Sequence, residues 1–130
     1  MFRTINLWTG SLASIGYRCR SSSNMNSKAF VDGLIKSNKV VVFSKSYCPY
    51  CHKAKAALET QNLKPGAMEW LEIENRPDCN EIQDYLQSIT GGRSVPRVFI
   101  NQKFFGGGDD TAAAAKNGKL AQLLKEAGAV

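Results

Sequence analysis

The sequence lacks long apolar runs, a dense cysteine framework and any cluster of basic residues. Its strongest apolar run, Val40–Phe43, is far shorter than the roughly 20 residues needed to span a bilayer, so no membrane span is predicted. Four cysteines in 130 residues are too sparse for a small secreted scaffold held by disulfides. No Lys/Arg-rich block with interleaved aromatic residues occurs, and nucleic-acid binding is therefore not expected.

Acidic residues are absent before Asp32, although the whole chain carries a net charge of +6. Residues 1–27 are rich in Arg and Ser and contain no acid, a composition typical of a mitochondrial transit peptide. We therefore predict an N-terminal extension at 1–27, mitochondrial localisation, and one folded domain at 28–130. A disordered tail, or a cytoplasmic protein that starts at Met25, is the alternative interpretation.

Helical and strand patterns alternate along the folded domain. The first half is predicted to hold a helix capped by Ser27, a strand at 39–44, a helix at 49–62 and a strand at 68–74. A helix at 79–88 follows, and then a hairpin of strands at 98–100 and 103–105. The last two elements are a helix that starts at Asp109 or Asp110 and a helix at 120–127. This order indicates an α/β sandwich with parallel strands and a terminal antiparallel hairpin.

Cys48 and Cys51 form a Cys-Pro-Tyr-Cys motif between a predicted strand and a predicted helix. The N-terminus of a helix presents unpaired N–H groups and a positive dipole end, and both favour the anionic form of a thiol. Lys45 adds positive charge nearby. These features predict that Cys48 is the nucleophile and that Cys51, less exposed, resolves mixed disulfides.

Other chemistries of the motif are less favoured by the sequence. Zinc would need a second Cys or His pair, whereas His52 is the single histidine and Cys79 is isolated. Cys48-x-x-Cys51-His52 also matches the minimal c-type haem attachment pattern, but nothing suggests an axial ligand or a haem pocket. A structural disulfide would close no loop of useful size. No metal cofactor is expected.

Three segments, in the same order and spacing, resemble the dithiol glutaredoxins. They are residues 40–51 (Val-Val-Val-Phe-Ser-Lys-Ser-Tyr-Cys-Pro-Tyr-Cys), 94–100 (Ser-Val-Pro-Arg-Val-Phe-Ile) and 106–110 (Gly-Gly-Gly-Asp-Asp), and the resemblance extends over about 29–130. It implies a thioredoxin-like three-layer sandwich with a four-stranded mixed sheet flanked by helices. It also implies glutathione as co-substrate, reduction of glutathionylated and disulfide-containing proteins, and an indirect dependence on glutathione reductase. The oligomeric state is left open by the sequence, with a monomer favoured.

The resemblance also assigns residues to a glutathione site. It implies that Lys45 and Gln83 contact the glycine carboxylate, that a cis Val–Pro pair binds the cysteine moiety through its backbone, and that a glycine and two aspartates bind the γ-glutamyl end. A solvated lysine, an edge proline and an aspartate that caps a helix are the structural alternatives. The predicted binding residues are Lys45, Tyr50, Gln83, Val95, Pro96, Gly108, Asp109 and Asp110.

Two alternatives to a glutathione-dependent reductase remain open. A thioredoxin would be expected to carry Cys-Gly-Pro-Cys, whereas this chain has Cys-Pro-Tyr-Cys. An iron–sulfur cluster carrier would bridge a cluster between two subunits through Cys48 and glutathione. Pro49 stiffens the loop and resembles the members of the family that do not hold a cluster.

Overall fold

The computed structural model describes the backbone of residues 19–130 and the side chains from Asn26 onward. In chain order the elements are α1 (Cys19–Ser37), β1 (Val40–Ser44), α2 (Pro49–Glu59), β2 (Met68–Glu72), α3 (Cys79–Thr90), β3 (Arg97–Ile100), β4 (Lys103–Gly106), α4 (Gly108–Asn117) and α5 (Lys119–Ala127). Each predicted helix and strand is present, and differences are confined to the ends.

The strands form one mixed sheet in the order β2-β1-β3-β4. β1 runs parallel to β2 and antiparallel to β3, and β3 and β4 form an antiparallel hairpin. Asn101 and Gln102 connect the hairpin with φ of 54° and 68°, the backbone that a two-residue type I′ turn requires. The predicted four-stranded mixed sheet is therefore confirmed.

Alternate residues of β1 contribute to separate hydrophobic cores on the two faces of the sheet. Val40 and Val42 pack with Leu58 of α2 and with buried residues of α4 and α5. Val41 and Phe43 pack with buried residues of α1 and α3 on the opposite face. All residues of β1 are buried because helices cover both faces of the sheet, which gives the three layers.

The start of the first helix differs from the prediction. α1 begins at Cys19, and Ser27 lies inside the helix with 2% of its surface exposed, so its predicted role as the cap is wrong. A serine permits a helix start but does not impose one, and no proline or glycine interrupts the segment before it. Residues 1–18 lie outside the described part of the chain, and the transit peptide, its localisation and the domain division stay predictions.

The topology brings several chain segments to one edge of the sheet. β1 and β2 are parallel, so their carboxyl ends meet there. Arg97, at the start of the antiparallel β3, lies opposite Phe43 near the end of β1. Gly106, at the end of β4, lies opposite Val98 of β3, which brings the start of α4 to the same edge. Among residues 19–130, no helix is both long and apolar enough to cross a bilayer.

Candidate active site

Cys48 is the N-cap of α2, immediately before Pro49 at the first helical position. Its sulfur accepts a hydrogen bond from the backbone N–H of Cys51 at 3.4 Å. No acidic residue lies in the first turn of α2, and Cys48 itself is half-buried. The sulfur therefore lies where N–H groups and the positive end of the helix dipole favour an anion.

Cys51, one turn further along α2, lies in a different environment. Its side chain is fully buried, and this burial raises the pKa of the Cys51 thiol to about 11. Hydrogen bonds from Ser44 and from the backbone of Lys45 act in the opposite direction but are outweighed. Because its pKa is so high, Cys51 is a neutral thiol at physiological pH.

The segment before β3 faces the sulfur of Cys48. The Val95–Pro96 peptide bond is cis, as the sequence resemblance implied. The carbonyl oxygen of Val95 lies 3.6 Å from the Cys48 sulfur and accepts a hydrogen bond from the thiol. Val95 is half-buried and Pro96 is buried.

Val95, whose carbonyl oxygen accepts the hydrogen bond from Cys48, also lines a groove of about 390 Å³. The volume lies in the range of small-molecule sites. Tyr50 forms one wall with 55% of its surface exposed. The residues that line the groove are Tyr50, Ser94, Val95, Pro96, Arg97, Gly107, Gly108, Asp109 and Asp110. Most of the predicted binding residues are therefore brought together around one cavity.

The two aspartates of the groove have different partners. A carboxylate oxygen of Asp110 accepts a hydrogen bond from the backbone N–H of Gly107 at 3.1 Å, and Asp110 therefore caps α4. A carboxylate oxygen of Asp109 lies 2.7 Å from the ammonium nitrogen of Lys53. This hydrogen bond raises the pKa of Lys53. Both members of the ion pair are largely exposed, so the Asp109 carboxylate remains open to solvent.

Gly108 is required by the packing of two helices rather than by the approach of a ligand. A Cβ atom on Gly108 would lie 2.4 Å from the carbonyl oxygen of Tyr50 in α2. A Cβ atom on Gly107 would approach nothing more closely than the carbonyl oxygen of Pro96, at 3.7 Å. The glycine at position 108 therefore lets α4 approach α2 and sets the width of the groove between them.

Lys45 and Gln83 do not line the groove. Lys45 is half-buried in the loop before α2, and its carbonyl oxygen accepts a hydrogen bond from the N–H of Cys48 at 3.1 Å. Gln83 is 7% exposed; its amide donates to the carbonyl of Arg93 at 2.8 Å and accepts from the Cys79 thiol at 3.5 Å. The bond to Arg93 uses one of the two N–H groups of the amide, so the predicted contact with a ligand would use the second.

Ser46 makes contacts that the sequence did not predict. Its N–H donates to Glu74 at 3.2 Å, and its hydroxyl donates to the other oxygen of the same carboxylate. The Nε2 atom of His52 lies 2.6 Å from the carbonyl oxygen of Ser46 and carries the hydrogen, because a carbonyl only accepts. One feature of the sequence could have predicted the contact between Ser46 and Glu74: the two residues follow β1 and β2, which end at the same edge of the sheet if they are parallel.

The described residues include no group of three or more His, Cys, Asp or Glu side chains arranged to hold a metal ion.

Comparison with known proteins gives a consistent family assignment. A model of the glutaredoxin family matches residues 40–105. Glutaredoxin-C8 of Oryza sativa subsp. japonica is 44% identical over 113 residues, which cover 87% of this chain and 81% of that protein. Oxidized glutaredoxin 2 from Chlamydomonas reinhardtii superposes with a TM-score of 0.76 at 57% identity, covering 82% and 98% of the two chains. A buckwheat glutaredoxin–glutathione complex superposes with a TM-score of 0.76 at 34% identity, covering 84% and 96%.

Proposed function

The chain belongs to the glutaredoxin family, and on this premise we propose that it reduces protein–glutathione mixed disulfides and protein disulfides through Cys48. As a member of this family it is a glutathione-dependent thiol–disulfide oxidoreductase. The observation that carries the proposal is the position of the Cys48 sulfur, at a helix N-cap and beside an open groove.

The groove suits a glutathione moiety bound next to the reacting sulfur. A buckwheat relative has been solved as a complex with glutathione, which supports the same ligand here. The backbone of Val95 would bond to the cysteine moiety as an added strand does. The first N–H groups of α4 and the carboxylate of Asp109 would bind the γ-glutamyl end. Asp109 then exchanges Lys53 for the ammonium group of the ligand, while Lys45 faces the glycine carboxylate.

Reduction of a glutathionylated protein needs Cys48 alone among the cysteines. The Cys48 thiolate attacks the glutathione sulfur of the mixed disulfide, the bond to the protein sulfur breaks, and the protein thiolate leaves and takes up a proton. The thiolate of a second glutathione then attacks the glutathione sulfur bound to Cys48. Glutathione disulfide leaves and the Cys48 thiolate is restored. The net reaction converts the protein–glutathione disulfide and one glutathione into the protein thiol and glutathione disulfide.

Reduction of a protein disulfide also uses Cys51. Cys48 attacks one sulfur of the substrate and forms a mixed disulfide with it, and the first substrate thiol leaves. Cys51 loses its proton and attacks the Cys48 sulfur, which releases the second thiol and leaves a Cys48–Cys51 disulfide. Two glutathione molecules reduce that disulfide and restore both thiols.

Two single substitutions test these roles. Cys48→Ser should abolish both reactions, because a serine hydroxyl does not form the mixed disulfide. Cys51→Ser should retain reduction of a glutathionylated peptide and lose reduction of an intramolecular protein disulfide. Both reactions are followed as NADPH consumption with glutathione and glutathione reductase, and Cys79→Ser is the matched control. Loss of both reactions in Cys51→Ser would contradict the assignment.

A further inference from the structure

Ser46 lies at the centre of the loop that joins β1 to Cys48, and side chains from two other segments hold it. Glu74, which follows β2, accepts hydrogen bonds from the N–H and from the hydroxyl of Ser46. His52, in the first turn of α2, donates to its carbonyl oxygen at 2.6 Å. We call these contacts of Ser46 with Glu74 and His52 the Ser46 clamp. They occupy the backbone N–H, the backbone C=O and the side chain of this residue together.

The loop that the clamp holds carries groups on which the proposed reaction depends. Lys45 precedes Ser46, and its carbonyl oxygen accepts from the N–H of Cys48 at 3.1 Å, which closes the turn before α2. Tyr47 is 69% exposed and contributes little packing that would fix the loop. The direction of the Cys48 sulfur toward Val95 therefore depends on how firmly the turn at Ser46 is held.

The negative charge of Glu74 cannot by itself explain a benefit of the clamp to the Cys48 thiolate. The hydrogen bond from Ser46, and to a smaller extent the charge of Lys45, lowers the pKa of Glu74, so this residue is an anion at neutral pH. An anion beside Lys45 weakens the positive field at Cys48 and by itself disfavours a second anion there. A benefit of Glu74 to the reaction must therefore come from geometry and not from its charge.

We propose that Glu74 and His52 are positioning residues, which act through Ser46 to hold the Lys45–Cys48 loop in the conformation that aims the Cys48 sulfur into the groove. This inference rests on the proposed function, because it concerns the same nucleophile. It adds Glu74 and His52, which lie outside the groove, to the residues on which the reaction depends. Small displacements of a reacting atom are costly, so loosening the loop should slow the attack.

The test separates position from charge by comparing two substitutions. Ser46→Ala removes the donor hydroxyl and leaves the Glu74 charge, whereas Glu74→Ala removes both the acceptor and the charge. If the clamp positions Cys48, each should lower kcat/KM for a glutathionylated peptide by about three- to tenfold, the range that corresponds to the net contribution of an ordinary hydrogen bond, because these side chains are exposed to solvent. The effects should not be additive in the double variant, because both remove the same contact.

A second readout follows the sulfur directly. In a Cys51→Ser background, the rate of Cys48 alkylation by iodoacetamide, located by peptide mass spectrometry, should change less than kcat/KM, since a small reagent needs no aimed attack. Ser46→Thr keeps the hydroxyl and should therefore retain the activity that Ser46→Ala loses. His52→Ala should resemble Ser46→Ala. Glu72→Gln removes a carboxylate that bonds instead to Trp70, and is the control expected to match the unmodified chain.

Three results would overturn the inference. One is faster alkylation and higher kcat/KM in Glu74→Ala, which would show that Glu74 acts as an opposing charge. Another is a lower kcat/KM in Ser46→Ala with an unchanged kcat/KM in Glu74→Ala. The third is an unchanged kcat/KM in both variants. All variants are compared with the unmodified chain and with Cys48→Ser. Inactivity of the unmodified chain toward the glutathionylated peptide would refute the proposed function, whereas activity there with unchanged clamp variants would refute the clamp alone.

Discussion

Raising the pH should accelerate the step carried out by Cys51 far beyond the point at which an ordinary cysteine is fully ionised. Burial is the largest cause that raises the pKa of the Cys51 thiol to about 11, and it does not depend on the ionisation of Cys48. With that pKa only about one Cys51 in 10⁴ is a thiolate at pH 7, against roughly 3% for a thiol with the ordinary pKa of about 8.5. The greater nucleophilicity of the more basic thiolate recovers about tenfold of this difference.

The assay is a single turnover in which Cys48 carries 5-thio-2-nitrobenzoate as a mixed disulfide. This coloured leaving thiolate is ionised throughout the range, so its own titration does not shape the profile. Between pH 7 and pH 10 the release rate should rise about 10³-fold for a pKa of about 11, but only about 30-fold for a pKa of about 8.5. Circular dichroism at each pH confirms that the chain is folded.

Two variants sharpen the interpretation of this profile. Cys51→Ser should release no leaving group in the absence of glutathione, which shows that the signal belongs to Cys51. Ser44→Ala removes a hydrogen bond that lowers the pKa of Cys51, so the rise of its release rate should be shifted to still higher pH. A release rate that is half-maximal near pH 8.5 and levels off by about pH 10 in the unmodified chain would refute the argument from burial.

Two further substitutions test how the helices are held. Tyr85→Phe removes the hydroxyl that donates to Asp32 at 2.5 Å and joins α3 to α1; we expect the free energy of unfolding in urea to fall by about 1–2 kcal/mol, and an unchanged value would refute this role. Gly108→Ala places a Cβ atom 2.4 Å from the carbonyl oxygen of Tyr50 and should lower the free energy of unfolding by about 1–3 kcal/mol. Gly107→Ala, where nothing is closer than 3.7 Å, should lower it far less. Equal decreases in stability, followed by thermal unfolding, would contradict the packing argument.

Local patterns in the sequence were sufficient for most of the fold. The β-branched run of β1 and the alternation in β2 are set by neighbouring residues, and such signals predict elements well. The Asn101–Gln102 turn is equally local, since its two positive φ angles join strands that are adjacent in sequence. The start of α1 was predicted less well because a capping residue such as Ser27 allows a helix to begin without excluding an earlier start.

The parts of the candidate site that the sequence predicted each lie within a short motif. Cys48 and Cys51 belong to one motif, so their positions on α2 followed from the sequence. The partner of Gln83 is a backbone carbonyl on another segment, and its residue type does not reveal that its amide is already bonded. The contact between Ser46 and Glu74 joins residues 28 positions apart and depends on the register of β1 against β2, which no local pattern specifies.

The different chemistry of the two thiols follows from their positions on a single helix. The N-cap residue lies outside the helix, so the sulfur of Cys48 accepts from the N–H of Cys51 and lies against the carbonyl of Val95, which lines the groove. Cys51 lies in the first turn and shares the buried face of α2 with Ala54 and Leu58, at the spacing of three and four residues that lines one side of a helix. The burial that packs Cys51 against the sheet also keeps it protonated. In the proposed mechanism Cys51 would therefore react with a substrate already held on Cys48, while Cys48 alone would be sufficient for mixed disulfides with glutathione.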